Sequence, residues 1–438
     1  MFRLKSVKNV TWYIEAVCQG LTIGFSEVLI IIWYSRQDSS AIKLGVMLTL
    51  PAAIGAITQA FATKNCTHQK SPQRLASLSI AGQVLGLAAM AFALTLTHYS
   101  DVFLFLGQCL YWMGGMTASS PTQEILAKTI PAPEHNRFFS RRAMIMTVVT
   151  LACNIISASL LDRGLTAAVL VQFMMIAAAA RLVSLMMING QPAPLILKGA
   201  EISPSGVNQD EALVSIIRLS ICMFLFRCAV NISSPFYSAF MLKNLSMSFR
   251  DYSLITAVPL VTKTLCLTNW ARLLDDNKKF EGLLIAIIAI GCTPILWSFN
   301  QSYLSLGGLQ VVSGISWAGF DLITVLLIQH MYPTSITHKL GLFLALGSLG
   351  SVAGGIIGGA LLNSLGSYQT VFAISGCCRL ATGFLLLWYL RRNHLFRFHE
   401  LNLRQGLSTL IAVKPSLAAA AKLIHFQPRK PGGQDRAA

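Results

Sequence analysis

The sequence predicts an all-α membrane protein with twelve transmembrane helices arranged as two six-helix pseudo-repeats. Three observations predict it: a low share of charged residues, the number of long apolar runs, and the placement of Lys and Arg between them. The 438-residue chain is 54% hydrophobic and 12% charged, with a mean hydropathy of +0.61. A soluble domain carries about 25% charged residues, so most of this chain's surface is expected to face lipid.

Twelve apolar runs can be counted, and a helix needs about 20 residues to cross the hydrocarbon core. Helices are favoured because lipid offers no partner to backbone N–H and C=O groups, and the runs lack the alternation of a β-barrel. The eighth and ninth runs are short. The predicted spans are residues 10–34, 41–63, 75–96, 102–126, 143–161, 165–188, 213–237, 252–268, 283–297, 304–328, 340–362 and 368–390.

Lys and Arg residues are distributed unevenly between the two sides of these helices. With both termini on one side, that side holds 24 of the 34 basic residues. The other side holds 5, counting Lys43 at the very start of the second span, and the remaining 5 lie deeper inside spans. Basic loops stay in the cytoplasm, so we predict cytoplasmic termini and a multi-pass protein of a cell inner membrane. The net charge of +17 does not indicate nucleic-acid binding, because the basic residues do not form one face.

The chain divides near its middle. The longest polar interruption, residues 189–212, separates the first six spans from the last six. Gln108 and Gln310 lie inside the fourth and tenth spans, and Pro131 and Pro333 follow those spans. The two glutamines are separated by the same number of residues as the two prolines. We therefore predict duplicated halves. The predicted units are an N-terminal six-helix bundle at 1–188, a cytoplasmic linker at 189–212, a C-terminal six-helix bundle at 213–392 and a basic cytoplasmic tail at 393–438.

Topology and one loop motif make the chain resemble the major facilitator superfamily of transporters. The loop after the eighth span reads Trp270-Ala271-Arg272-Leu273-Leu274-Asp275-Asp276-Asn277-Lys278-Lys279. It is similar to the family's loop signature of a small residue, an acidic residue and a basic end. The matching loop of the first half, residues 64–70, lacks the acidic residue. The resemblance implies the family's fold and a secondary active transporter that moves a small solute by alternating access.

The resemblance also implies a gate at the cytoplasmic face. Asp275, together with Arg272, is expected to hold the halves together in an outward-facing state, near Lys339 or a helix N-terminus that would stabilise its carboxylate. The alternative interpretation is a solvated loop charge.

Ionisable residues inside the spans are the main chemical signal, because each costs about 2.5–3.5 kcal/mol or more in the bilayer. In the resembled fold the first, fourth, seventh and tenth helices line a central cavity. Gln310, Ser313, Trp317 and Asp321 of the tenth span share one helical face. We expect Gln310, Trp317 and Asp321 to bind substrate. A separate hypothesis is proton coupling through Asp321, since a carboxylate in low dielectric gains affinity for protons.

The seventh span supplies a cationic candidate. Arg227, Asn231 and Ser234 share a face, and a mid-membrane Arg can hold an anionic group with two hydrogen bonds. We take Arg227 and Asn231 as substrate-binding candidates. The alternative is a structural ion pair, in which Arg227 or Lys263 neutralises Asp321.

The first span supplies acidic candidates. Glu15 and Gln19 lie on a polar stripe and are expected to face the cavity, with snorkelling of Glu15 to the membrane surface as the alternative. Glu27 lies on the side of Gly20 and Gly24, whose spacing marks close helix packing. We expect Glu27 to be a buried partner of a neighbouring helix and a second candidate for proton coupling.

Other classes of protein fit less well. The sequence carries no HExxH pattern, nucleophile elbow or CxxC pair, so we predict neither an enzyme nor a metal or cofactor site. The expected partners are a small-molecule substrate, protons and the lipid bilayer, without nucleic acid, and the expected state is a monomer. A non-transporting receptor or scaffold on the same fold remains the alternative function.

Overall fold

The computed structural model describes residues 2–36, 40–66, 72–96, 100–130, 135–164, 166–190, 209–275, 279–331 and 336–393. Within these ranges the chain forms twelve long helices, a four-residue helix (α8) and a π-helical turn at Phe240–Asn244. The helices are α1 Phe2–Arg36, α2 Ala41–Cys66, α3 Pro72–Ala93, α4 Ser100–Thr129, α5 His135–Leu161, α6 Ala167–Asn189, α7 Gln209–Asn231, α8 Phe236–Ala239, α9 Phe249–Asp275, α10 Lys279–Phe299, α11 Tyr303–Met331, α12 Ile336–Leu365 and α13 Tyr368–Arg392.

The all-helical membrane fold is confirmed. Ten helices in the described part of the chain are long and apolar enough to cross a membrane. The other two long helices, α4 and α9, have 30 and 27 residues and carry more polar side chains. They pack along α2 and α3 and along α11 respectively. The two runs predicted to be short are longer in the structure, because α9 and α10 extend past their apolar centres into polar ends.

The seventh predicted span is interrupted rather than continuous. Helix α7 ends at Asn231, and the chain turns through residues 232–235 before α8 and the π-helical turn complete the span. Pro235 explains the break, because proline lacks the N–H of a helical hydrogen bond and disfavours helical geometry in the preceding residue. The predicted spans eight to twelve therefore correspond to α9 to α13.

The two halves repeat the same packing pattern. In the first half α1 packs on α5 and α6, α3 on α4 and α6, and α2 on α4. In the second half α7 packs on α12 and α13, α10 on α11 and α13, and α9 on α11. The contacts between halves are also paired, since α2 packs on α12 and α5 on α9.

Glycines of α12 allow this helix to lie between the two halves. Gly350 and Gly354 approach the backbone of α7, and Gly358 approaches the backbone of Ile232 just after α7. Gly355 and Gly359 approach the backbone of α2. Each row has the four-residue spacing that permits close helix contact in membranes. Gly20 and Gly24 make the equivalent close approach of α1 to α5.

In the described part of the chain the hydrophobic core joins the halves at one end only. At the end away from the start of α1 and the end of α13, here called the far end, one core contains Phe25, Tyr34 and Phe173 of the first half with Phe240 and Trp297 of the second. Toward the opposite end, where α1 begins and α13 ends (here called the terminus side), the second half has a separate core around Phe226, Trp270 and Phe320. The first half has its own around Trp12, Ile80 and Phe138.

Hydrogen bonds between the halves also lie at the far end. The backbone N–H groups of Phe249 and Arg250, the first residues of α9, donate to the carboxylate of Asp162 at 2.6 and 3.0 Å. Asp162 follows α5, so it caps a helix of the opposite half. The Ser35 hydroxyl donates to that of Ser238 at 3.0 Å. Together with the core, these contacts close the far end.

We predict that Asp162→Ala loosens the far end. The two N–H groups of α9 lose their acceptor, which costs about 0.5–2 kcal/mol. A Ser35→Cys reporter at this buried contact should then react about two- to tenfold faster with a thiol reagent, measured as the increment over the same protein without the reporter. The control is Asp251→Ala, in the first turn of α9. Equal reactivity in the Asp162→Ala and Asp251→Ala proteins would contradict a closing role for Asp162.

Candidate functional site

Asp321 on α11 lies between two cations from two other helices. The ammonium of Lys263 on α9 donates to Asp321 Oδ2 at 2.6 Å. Arg227 Nη2 on α7 lies 3.7 Å from Asp321 Oδ1. The three side chains are 35%, 41% and 32% exposed respectively, so the cluster faces open space rather than the packed core. It connects three helices of the second half through one carboxylate.

Trp317 lies one helical turn before Asp321 and fixes the position of Arg227. The guanidinium carbon of Arg227 is 5.2 Å from the centre of the Trp317 ring, an arrangement that the ring's negative face stabilises. Phe320 meets Trp317 edge-on at 5.5 Å and stacks on Phe226 at 4.9 Å. These two phenylalanines are fully buried, so packing holds both the indole and the helix that carries Arg227.

The charged cluster borders a cavity of about 560 Å³ between the halves. Helices α7, α9, α11 and α12 of the second half contribute most of the wall, and α2 contributes Leu48, Thr49, Ala52 and Ala53 from the first half. A second cavity of about 330 Å³ adjoins it and shares Thr49, Asn231, Ser234, Thr256 and others with it. This second cavity also has Tyr237, Tyr252 and Gln310 in its wall, and none of the described residues that line it is charged.

Five of the seven predicted substrate-binding residues line these two cavities. Arg227, Trp317 and Asp321 line the larger one, Gln310 lines the smaller one, and Asn231 lines both. The helical faces predicted from the sequence therefore do meet around these cavities. Their role in binding a substrate stays a prediction.

Glu15 and Gln19 lie elsewhere, in a buried polar network inside the first half. The Glu15 side chain is 1% exposed and accepts from Arg142 Nη2 at 2.6 Å and from Arg181 Nη1 at 3.4 Å. Gln19 Oε1 accepts from the same Arg142 atom at 2.8 Å, and Gln83 Oε1 accepts from Arg181 Nε at 2.6 Å. Neither Glu15 nor Gln19 is among the residues that line the two cavities, and Glu15 does not snorkel either.

Glu27 pairs with a neighbouring helix, as its position beside the α1 glycines suggested. The hydroxyl of Tyr111 on α4 donates to Glu27 Oε1 at 2.9 Å. Among the described residues no cation forms an ion pair with Glu27. A role in proton coupling is not tested by this geometry and stays a prediction.

The predicted gate falls outside the described side chains. Arg272 and Asp275 belong to the last turn of α9, and Lys339 to the first turn of α12, but the side chains of all three lie outside the part that the structure describes. Their gating role stays an expectation from the family resemblance.

Lys263 is a cavity residue that sequence reasoning did not name as a binding candidate. It was considered only as a structural partner for Asp321, yet it lines the cavity and is the most exposed member of the cluster. The available signal was its position near the middle of the eighth span, where a lysine is expensive in lipid. Thr49 and Ala53 of α2 carried no comparable signal, because the sequence does not show which face of α2 meets the second half.

Comparison with known proteins finds a family of transporters that resembles this chain. The model of the Major Facilitator Superfamily matches residues 219–421, and no curated protein sequence matches the chain. Among solved structures, the nucleoside transporter NupG superposes with a TM-score of 0.69 at 13% identity, covering 88% of this chain and 99% of NupG. The bacterial homologue of the human lysosomal transporter Spinster, solved inward-facing and unoccupied, gives 0.63 at 14% identity, covering 91% and 99%.

A third similar structure is the D-xylose–proton symporter, with a TM-score of 0.61 at 14% identity over 88% of this chain and 97% of the symporter. The pseudo-repeated helical fold and the family match of residues 219–421 indicate a multi-pass membrane transporter of the secondary active class, not an enzyme. The C-terminal half of the chain thus matches the major facilitator superfamily.

We predict that Glu15→Gln destabilises the first half. Arg142 and Arg181 lose the carboxylate between them, and removing one partner of a buried ion pair typically costs about 3–5 kcal/mol. The measurement is the free energy of unfolding of purified protein in detergent. The matched control is Glu124→Gln on exposed helix surface, expected to change stability by about 0.5 kcal/mol or less. Equal stability of the two variants would show that the network contributes nothing.

Proposed function

We propose that the chain carries a small polar solute across a cell inner membrane by alternating access, with its binding site in the cavity around Arg227, Lys263 and Asp321. The observation that carries the proposal is this cluster of three charged side chains, exposed in a cavity between two pseudo-repeated halves. Charges at this depth are costly in lipid and are a sign of a substrate or ion pathway. Nothing in the structure favours the receptor alternative.

The separation of the cores supports a state that is open on one side. The halves share a core and hydrogen bonds at the far end and have separate cores toward the terminus side. We infer that the cavity opens toward the terminus side, which the basic-residue bias assigns to the cytoplasm. The opposite state would require the far-end contacts of Asp162 and Ser35 to break.

Rocking of the predicted bundles, residues 1–188 and 213–392, would exchange these states. The interfaces that must slide are α2 on α12 and α5 on α9. Glycines at 355 and 359 leave α12 smooth on the side that meets α2, which suits movement at that interface. In this proposal Arg272, Asp275 and Lys339 hold the terminus side together after the exchange. One chain contains the whole cavity, which supports a monomer as the working unit.

Proton coupling is a separate part of the proposal. Protonation of Asp321 would remove the charge that holds Lys263 and Arg227, and so would link proton binding to the positions of α7, α9 and α11. Glu27 is the second candidate, because its described partner is the neutral Tyr111 and a neutral carboxyl group is tolerated in that setting.

We predict that Asp321→Asn lowers solute flux at least about tenfold in proteoliposomes, because Lys263 and Arg227 lose the charge that positions them. The test uses a panel of labelled carboxylates, phosphate esters, sugars, nucleosides and amines, with and without a pH gradient. The matched control is Asp101→Asn, since Asp101 also pairs with a lysine of another helix, Lys43, but outside the cavity.

If Asp321→Asn and Asp101→Asn transport equally well, the site assignment is wrong. If the wild-type rate ignores the pH gradient, proton coupling is excluded while the transport proposal stands. If the gradient accelerates transport in Asp321→Asn but not in Glu27→Gln, the coupling proton binds Glu27 rather than Asp321.

A further inference from the structure

The cavity of the proposed transporter carries an excess of positive charge. Among the described residues that line it, Arg227 and Lys263 are the two cations and Asp321 is the one acidic residue. The cluster therefore has a net charge of +1 with all three groups ionised. A cleft that has low-dielectric walls and an excess of one charge sign concentrates ions of the opposite sign, so this cavity favours anions.

Arg227 has hydrogen-bonding capacity that the protein leaves unused. Its closest charged partner is Asp321 at 3.7 Å, beyond hydrogen-bond distance. Among the described residues its guanidinium donates no hydrogen bond. The other contact of the guanidinium is the ring of Trp317, over which it lies. A guanidinium presents five N–H donors in a planar fork that matches a carboxylate or a phosphate. The exposed fork thus points to an oxyanion ligand.

Arg379 adds a further positive charge behind the cavity wall. It is 3% exposed and its guanidinium donates to neutral acceptors: the carbonyls of Val230 and Ile290 and the hydroxyls of serines 233, 234 and 375. Among the described residues it has no acidic partner. Ser234 lies between this buried cation and both cavities, so the field of Arg379 reaches the uncharged chamber.

The cavity walls suit a small solute with a polar body. The two adjoining cavities of about 560 and 330 Å³ fall within the usual size of small-molecule sites. The chamber away from the charges offers amide, hydroxyl and phenol groups from Gln310, Thr256 and Tyr252. A ligand lying across both chambers would meet cations at one end and neutral hydrogen-bonding groups at the other.

We propose that the carried solute is a small organic anion whose carboxylate or phosphate binds Arg227. Its uncharged polar part extends toward Gln310, while Asp321 continues to hold Lys263. The ligand's oxyanion thus satisfies the guanidinium that Asp321 reaches only at long range. This inference rests on the proposed transport function and names the substrate class for the same site.

The first test measures the sign of the cavity's potential and needs no substrate. A Ser351→Cys reporter in the larger cavity is reacted with an anionic and a cationic methanethiosulfonate. For each reagent, the rate measured with the protein that lacks the reporter is subtracted. The corrected rate is then divided by the rate of the same reagent with 2-mercaptoethanol. We expect the anionic reagent to be favoured at least about threefold. Lys263→Gln should lower this ratio and Asp321→Asn should raise it. A ratio of one or less would overturn the inference.

The second test measures flux in proteoliposomes, with solutes of similar size that differ in charge. Transport of carboxylates or phosphate esters, lost in Arg227→Gln and partly kept in Arg227→Lys, supports the inference and distinguishes the two oxyanions. Transport confined to neutral or cationic solutes overturns the anion inference but leaves the proposed function intact. Absence of flux for every solute contradicts the proposed function, and the thiol-reagent ratio then still decides the charge preference of the cavity.

Discussion

The sharing of one carboxylate, Asp321, between Lys263 and Arg227 is the interaction on which the proposed binding site depends. Three separate charges at this depth of a membrane would each be costly, but together they lower one another's cost. The contacts differ, since Lys263 is bound at 2.6 Å and Arg227 is held only at 3.7 Å. The cluster is therefore stabilised as a whole, while Arg227 keeps donors that a ligand could use.

The two halves use charge differently although their helices pack in the same pattern. In the first half the ion pairs of Glu15 are buried and connect α1 to α5 and α6, so they serve stability. In the second half the charges around Asp321 are open to the cavity, and the buried Arg379 is satisfied by neutral groups. The first half contributes a largely apolar wall from α2. Duplication thus supplies the scaffold, and divergence of the side chains supplies the site.

The sequence predicted most of the fold and part of the site. Long apolar runs and alternating basic loops are properties of the chain itself, so the helices could be counted. The face containing Gln310, Trp317 and Asp321 was readable because helical spacing fixes it. Glu15 was misplaced because Arg142 counted as a loop residue, whereas α5 begins at His135 and carries Arg142 into the bundle. Arg181 is buried too, because its partners Glu15 and Gln83 come from other helices.

A double-mutant cycle between Asp321 and Lys263 tests the central claim most directly. The free energy of unfolding is measured in detergent for the wild type, Asp321→Asn, Lys263→Gln and the double variant. The shared carboxylate predicts that the effects are not additive, with a coupling of about 1 kcal/mol or more in favour of the pair. Additive effects within about 0.5 kcal/mol would show that the two residues do not depend on each other, and would contradict the account of the site.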